Sequence, residues 1–158
     1  MNTSFLNRKT VAWALYDWAN SAFATTVMAG FFPIFFKEYW NVGVAATTST
    51  FRLGLANSVA SLIVVAMAPL LGAIGDQGGA RKKFLLFFAA MGVVMTGSLF
   101  FVARGAWHVA VLIYIVAIIG FSGGNVFYDS LIISVCGTRK VDIVSALGLL
   151  LGYLGGGI

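Results

Sequence analysis

Two acids stand inside apolar stretches of this chain, each with an amide about one helical turn away. Asp17 and Asn20 are three residues apart, and Asn125 and Asp129 are four apart. On a helix either spacing puts both side chains on one face. Trp13 and Ala24 extend the first of these faces. A carboxylate beside an amide could hold a cation, bind a small polar solute or carry a proton. Ionisable groups inside lipid-spanning helices usually face a bundle interior and mark ion or substrate paths. Helix one alone leaves a structural alternative open. The run from Trp18 to Phe36 could span by itself, which makes Asp17 a first-turn interfacial acid favoured by the helix dipole.

Other chemistry is not indicated. One cysteine, Cys136, excludes an intrachain disulfide and cannot make a metal site alone. The single histidine, His108, lies at a helix end without partners for a metal. No phosphate-binding loop or nucleophile–base pair stands out. The expectation is therefore no enzyme, no cofactor and no metal.

The elements that must position the two acids are read from hydropathy. The chain has 158 residues, 60% hydrophobic and only 9% charged, with mean hydropathy +0.96. A soluble domain of this size is nearer a quarter charged, so lipid is the solvent for most of the chain. A spanning helix needs roughly 20 apolar residues. Five runs are expected as transmembrane helices: 11–36, 53–74, 84–103, 109–135 and 143–158. The first is too long for a signal-peptide core and lacks a cleavage site behind it. Short connections make consecutive helices neighbours in one all-α bundle. The fifth run is short for a span and nothing follows it, so the chain reads as an incomplete N-terminal piece.

The basic residues orient the bundle. Arg8, Lys9, Arg81, Lys82, Lys83, Arg139 and Lys140 fall on one side, and Lys37, Arg52 and Arg104 on the other. Seven against three places the N-terminus in the cytoplasm. Tyr39, Trp40 and Trp107 are expected as an aromatic belt at the opposite interface. These clusters are loop charges, so the net charge of +5 implies no nucleic-acid partner. Asn57 and Ser61 in helix two are expected in interhelical hydrogen bonds. Pro33 and Pro69 mark kinks. Gly148, Gly152 and Gly156 repeat every four residues and form a close-packing face.

The stretch "GAIGDQGGARKKF" resembles the signature loop of the major facilitator superfamily, G-x-L-a-D-r-x-G-r-k-x-x-l. Gly72, Ile74, Gly75, Asp76, Gly79, Arg81 and Phe84 fall in register. Gln77 and Ala80 stand where basic residues are usual. "WALYDWANSAFATT", "FFPIFF" and "GNVFYDSLI" look like the vacuolar-effluxer-like, autophagy-related permease branch. The resemblance implies the first four and a half of about twelve helices. It implies that Asp76 acts in the conformational cycle and that helices one and four line a central cavity. Asp17 and Asp129 each follow a tyrosine, Tyr16 and Tyr128. Each lies about 9 Å from the cytoplasmic end of its run at 1.5 Å per residue. They are then one polar site with Asn20 and Asn125.

The implied function is secondary transport by alternating access. The solutes would be small and polar, with amino acids the leading class, and the paired acids could carry a coupling proton. The partners are the bilayer, the solute and the missing C-terminal half, in the cell membrane of a bacterium. A motif of antiporter-type facilitators has proline where Tyr153 stands, so the glycine face keeps its packing reading. The alternative is a non-transporting membrane subunit that assembles through this fifth helix.

Overall fold

The computed structural model describes residues 7–76, 79–137 and 140–157. Arg139, Gln77 and Ile158 lie outside them. The described chain is all-α. Four helical stretches are long and apolar enough to cross a membrane: Arg8–Trp40, Ala46–Gly75, Arg81–Phe101 and Trp107–Cys136. Three of them outrun the apolar segments read from sequence at both ends, because flanking residues continue the backbone hydrogen bonding after hydropathy has fallen, whereas the third begins earlier than expected and ends at Phe101. Large apolar side chains point outward, among them Phe51, Leu62, Val93 and the 86% exposed Phe100. Water would penalise such a surface and lipid does not.

The first stretch is built in pieces. α1 (Arg8–Ala22) opens at Asn7, whose side chain accepts from the Thr10 N–H at 2.9 Å. That satisfies one of the amides left unpaired at a helix start. The helix then widens to π geometry over Phe23–Phe31. It returns to α geometry in α2 (Phe32–Phe35) and widens again over Phe36–Trp40. Pro33 sits where the first π segment ends, as suits a residue with no N–H to give the turn before it. The remaining helices are α3 (Ala46–Asp76), α4 (Arg81–Ser98) with a 3₁₀ turn to Phe101, α5 (Trp107–Cys136) and α6 (Val141–Gly157). Gly137, at φ +68, closes α5 by donating its N–H to the Ile133 carbonyl at 2.9 Å. That left-handed cap favours glycine.

The chain divides into two compact units. One comprises residues 31–127. Its core joins Leu71, Phe88 and Phe127, with the Phe84 and Phe127 rings stacked 5.2 Å apart. α4 and α5 meet backbone to backbone. A methyl group on Gly120 would stand 2.8 Å from both the Gly92 nitrogen and the Phe88 carbonyl oxygen. Phe32 stacks on Tyr114 with centroids 3.6 Å apart.

At one end of this unit a polar network ties three segments. The buried Asn41 donates to the Ser49 hydroxyl and accepts from the Arg52 guanidinium. Arg52 also lies 4.0 Å over the Trp107 ring. The expected belt is modified here. Trp40 is buried, with its indole N–H donating to the Val102 carbonyl at 3.3 Å, so it fastens a loop where a lipid-facing position was expected. Asn57 and Ser61 are exposed and make no hydrogen bond among the described residues. The expected interhelical bonds of these two residues are thus not made among the described residues. Arg81 donates to the Gly75 carbonyl, placing a cation near the C-terminal end of α3, where the helix dipole favours it.

Candidate functional site

The other unit comprises 1–30 and 128–158, of which the described part holds α1, most of the π segment, the end of α5, and α6. α1 and α6 pack in parallel, in four-residue steps. A methyl on Gly148 would lie 2.6 Å from the Trp13 ring. One on Gly152 would lie 2.8 Å from Asp17 Oδ2 and 3.0 Å from the Ser21 hydroxyl. One on Gly156 would lie 3.1 Å from the Thr25 methyl. Gly155 is tighter still, with 1.9 Å to Trp18 Cδ1 and 2.3 Å to the Trp18 carbonyl oxygen. The absence of side chains at these positions is what lets the two backbones approach.

An aromatic anchor holds the end of α5 to α1. Trp13 stacks on Tyr128, with centroids 4.4 Å apart and planes 10° apart. Its indole N–H donates to the Tyr128 carbonyl at 3.2 Å. Tyr16 stacks on the same ring at 5.0 Å. The Tyr128 side chain is 5% exposed, and its hydroxyl is buried with no hydrogen-bond partner among the described residues.

This anchor brings the two acids into one neighbourhood. Asp17 and Asp129 lie within electrostatic reach of each other, and Tyr128 within reach of both. Asp17 is half-buried and Asp129 is exposed. Neither carboxylate has a hydrogen bond or ion pair among the described residues. Asn125 precedes Asp129 by one turn of α5 but falls in the first-described unit.

A groove of about 400 Å³ runs beside Asp17. Ser21, Ala24, Thr25, Leu149, Gly152, Tyr153, Gly156 and Gly157 complete its lining. Asn20 does not line it. The sequence reading overlooked Ser21 and Thr25. The available signal was the four-residue spacing of Trp13, Asp17, Ser21 and Thr25, matching that of Gly148, Gly152 and Gly156. Their separation by well over a hundred residues hid the match.

The loop residues singled out from sequence sit elsewhere. Asp76 ends α3 and Arg81 opens α4. A methyl on Gly72 or Gly79 would meet nothing within 4 Å, so neither glycine is at a close approach in this structure.

The family profile described as "Vacuole effluxer Atg22 like" matches residues 39–140. The chain belongs to this family. Among curated relatives of this Atg22-like chain, the uncharacterized MFS-type transporter YxiO of Bacillus subtilis (strain 168) is 42% identical over 145 residues. That match covers 91% of this chain and 34% of the relative. An uncharacterized protein of Aquifex aeolicus (strain VF5) is 27% identical over 150 residues, covering 95% of this chain and 36% of that one. The chain thus spans about a third of the length of the curated relatives it matches. No solved structure matches it significantly. The Atg22-like family and the four helices long and apolar enough to span make this an integral membrane protein.

Proposed function

We propose that this chain forms the N-terminal part of a secondary transporter that moves small polar solutes, amino acids foremost, by alternating access. The single observation that carries this reading is the placing of Asp17 and Asp129, both without a hydrogen bond or ion pair among the described residues, within electrostatic reach of each other between apolar helices, with Asp17 also lining a groove. Lipid does not tolerate such groups without a function or a partner. Against the subunit reading stands the packing of the glycine face of α6 on α1 of the same chain.

In full-length protein, uptake and efflux of a panel of labelled amino acids should fall about tenfold or more for Asp17→Asn and for Asp129→Asn. The double variant should lose less than the product of the two, since coupled sites deviate from additivity. Wild-type rates in both single variants would leave the acids as interfacial caps. No movement of any solute by the wild type would remove the solute class.

The N-terminus is proposed to be cytoplasmic, on the seven-to-three basic asymmetry. In a cysteine-free background, a cysteine at Val42 should react with a membrane-impermeant maleimide on intact cells. A cysteine at Lys82 should react only after lysis. The reverse pattern would invert the topology. The loop carrying Gly72, Asp76, Gly79 and Arg81 is proposed to act in the conformational cycle, and the membrane to be a bacterial inner membrane.

A further inference from the structure

We propose that Trp13 is the positioning residue of the two-acid site: its indole holds the Asp129 backbone against α1 and so sets the separation of the two carboxylates. This rests on the transport reading for what the pair does, and on packing alone for its geometry. Every contact involved lies within the unit that holds α1, α6 and the end of α5.

The indole reaches Asp129 through a rigid link. Its N–H donates to the Tyr128 carbonyl at 3.2 Å, in a buried hydrogen bond. That carbonyl belongs to the peptide group whose nitrogen is that of Asp129. A peptide group is planar, so the bond fixes a plane that ends on the Asp129 Cα. On α1 the same indole stands four residues before Asp17, on one helix face. One side chain is thus joined to both acids by short, stiff connections.

The indole is itself held from two other helices. Its ring stacks on Tyr128 of α5, with planes 10° apart. Tyr16 adds a third ring, its plane 26° from that of Tyr128. The buried Tyr128 hydroxyl makes no hydrogen bond among the described residues, so stacking holds that ring. On α6 the indole occupies the space a Gly148 side chain would take, since a methyl there would stand 2.6 Å from Trp13 Cζ3. The Coulomb energy of two carboxylates varies inversely with their separation. Whatever sets that separation sets how strongly the acids act on each other.

Trp13 has a counterpart in the other unit. Trp40 is buried too, and its indole N–H donates to the Val102 carbonyl at 3.3 Å. Phenylalanine at either position removes the same N–H from a buried ring, but only Trp13 adjoins the acids.

The test uses full-length protein in detergent, with Asp17→Cys and Asp129→Cys in an otherwise cysteine-free background. The readout is the rate at which a short bifunctional methanethiosulfonate joins the two cysteines. Trp13→Phe should slow it about threefold or more, the scale of one buried hydrogen bond. Trp13→Leu, which removes the stack as well, should slow it further. Trp40→Phe should leave the rate as it was. With both acids in place, transport supplies a second readout. The coupling between Asp17→Asn and Asp129→Asn should fall about twofold or more when a Trp13 substitution is added, and stay the same with Trp40→Phe. A role in stability alone would lower rates and thermal midpoints without moving that coupling.

Unchanged crosslinking in both Trp13 variants overturns the proposal, as does equal slowing by Trp40→Phe. So does a coupling that neither Trp13 variant alters in a transporting protein. Slowing by Trp13→Leu alone supports it and assigns the hold to the stacked ring. Should Trp13→Leu fail to fold, Trp13→Phe decides the matter. Slowed crosslinking in a protein that moves no solute would remove the transport reading and leave the positioning role standing.

Discussion

Gly120→Leu is expected to destabilise the full-length protein by about 3 kcal/mol, the upper end of the usual cost of overpacking. The reason is the nature of the obstacle. Even a methyl group there would stand 2.8 Å from the Gly92 nitrogen and the Phe88 carbonyl oxygen. Both are backbone atoms of α4, so no rotamer change relieves the clash, and two helices must separate. Separation would also open the Phe88–Phe127 contact, where the rings stack 5.9 Å apart. Gly54→Leu is the matched control, because a side chain at Gly54 meets nothing within 4 Å. In a helix that substitution should be neutral or slightly stabilising, since glycine costs roughly 0.5–1 kcal/mol against alanine there. Thermal midpoints of the purified full-length variants in one detergent decide it. Equal midpoints for the two leucine variants would show that α4 and α5 do not cross at these glycines.

Arg52→Met should cost about 2–3 kcal/mol, from two sources. The carbonyl oxygen of the buried Asn41 loses its donor, and an orphaned buried acceptor costs about 1–3 kcal/mol. The stack of the guanidinium on Trp107, at 4.0 Å, is lost as well, at about 0.5–2 kcal/mol. Arg52→Lys should recover little of this. A guanidinium can lie flat on the indole while directing an N–H in its own plane to Asn41, and a compact ammonium cannot do both. The check is a double-mutant cycle of Arg52→Met with Asn41→Ala, read as thermal stability of the full-length protein. A coupling near zero, or a lysine variant as stable as wild type, would reduce Arg52 to a loop charge.

Hydropathy and charge spacing determined that this chain is helical, that it lies in lipid, and which residues are out of place there. Those properties are additive along the chain. A run of apolar residues needs no distant partner to demand a helix in lipid, because the backbone must bond to itself. Asp17 and Asp129 were conspicuous for the same reason, and the four-residue spacing of Gly148, Gly152 and Gly156 announced a packing face. The signature loop and the aromatic stretches also carried the family resemblance, which the match over residues 39–140 bears out.

Which surface the glycine face meets was a matter for the tertiary structure. Its partner is α1, and the packing face and the polar face proved to be one place, with Gly152 opposite Asp17. Trp13 became an anchor on Tyr128, Trp40 a buried fastening, and Ser21 and Thr25 the lining of a groove. None of this follows from local pattern. Helix periodicity says which residues share a face, but not which distant helix that face meets or in what register. That choice rests on the fit of side chains far apart in the chain, where a glycine leaves room for a carboxylate and an indole finds a carbonyl.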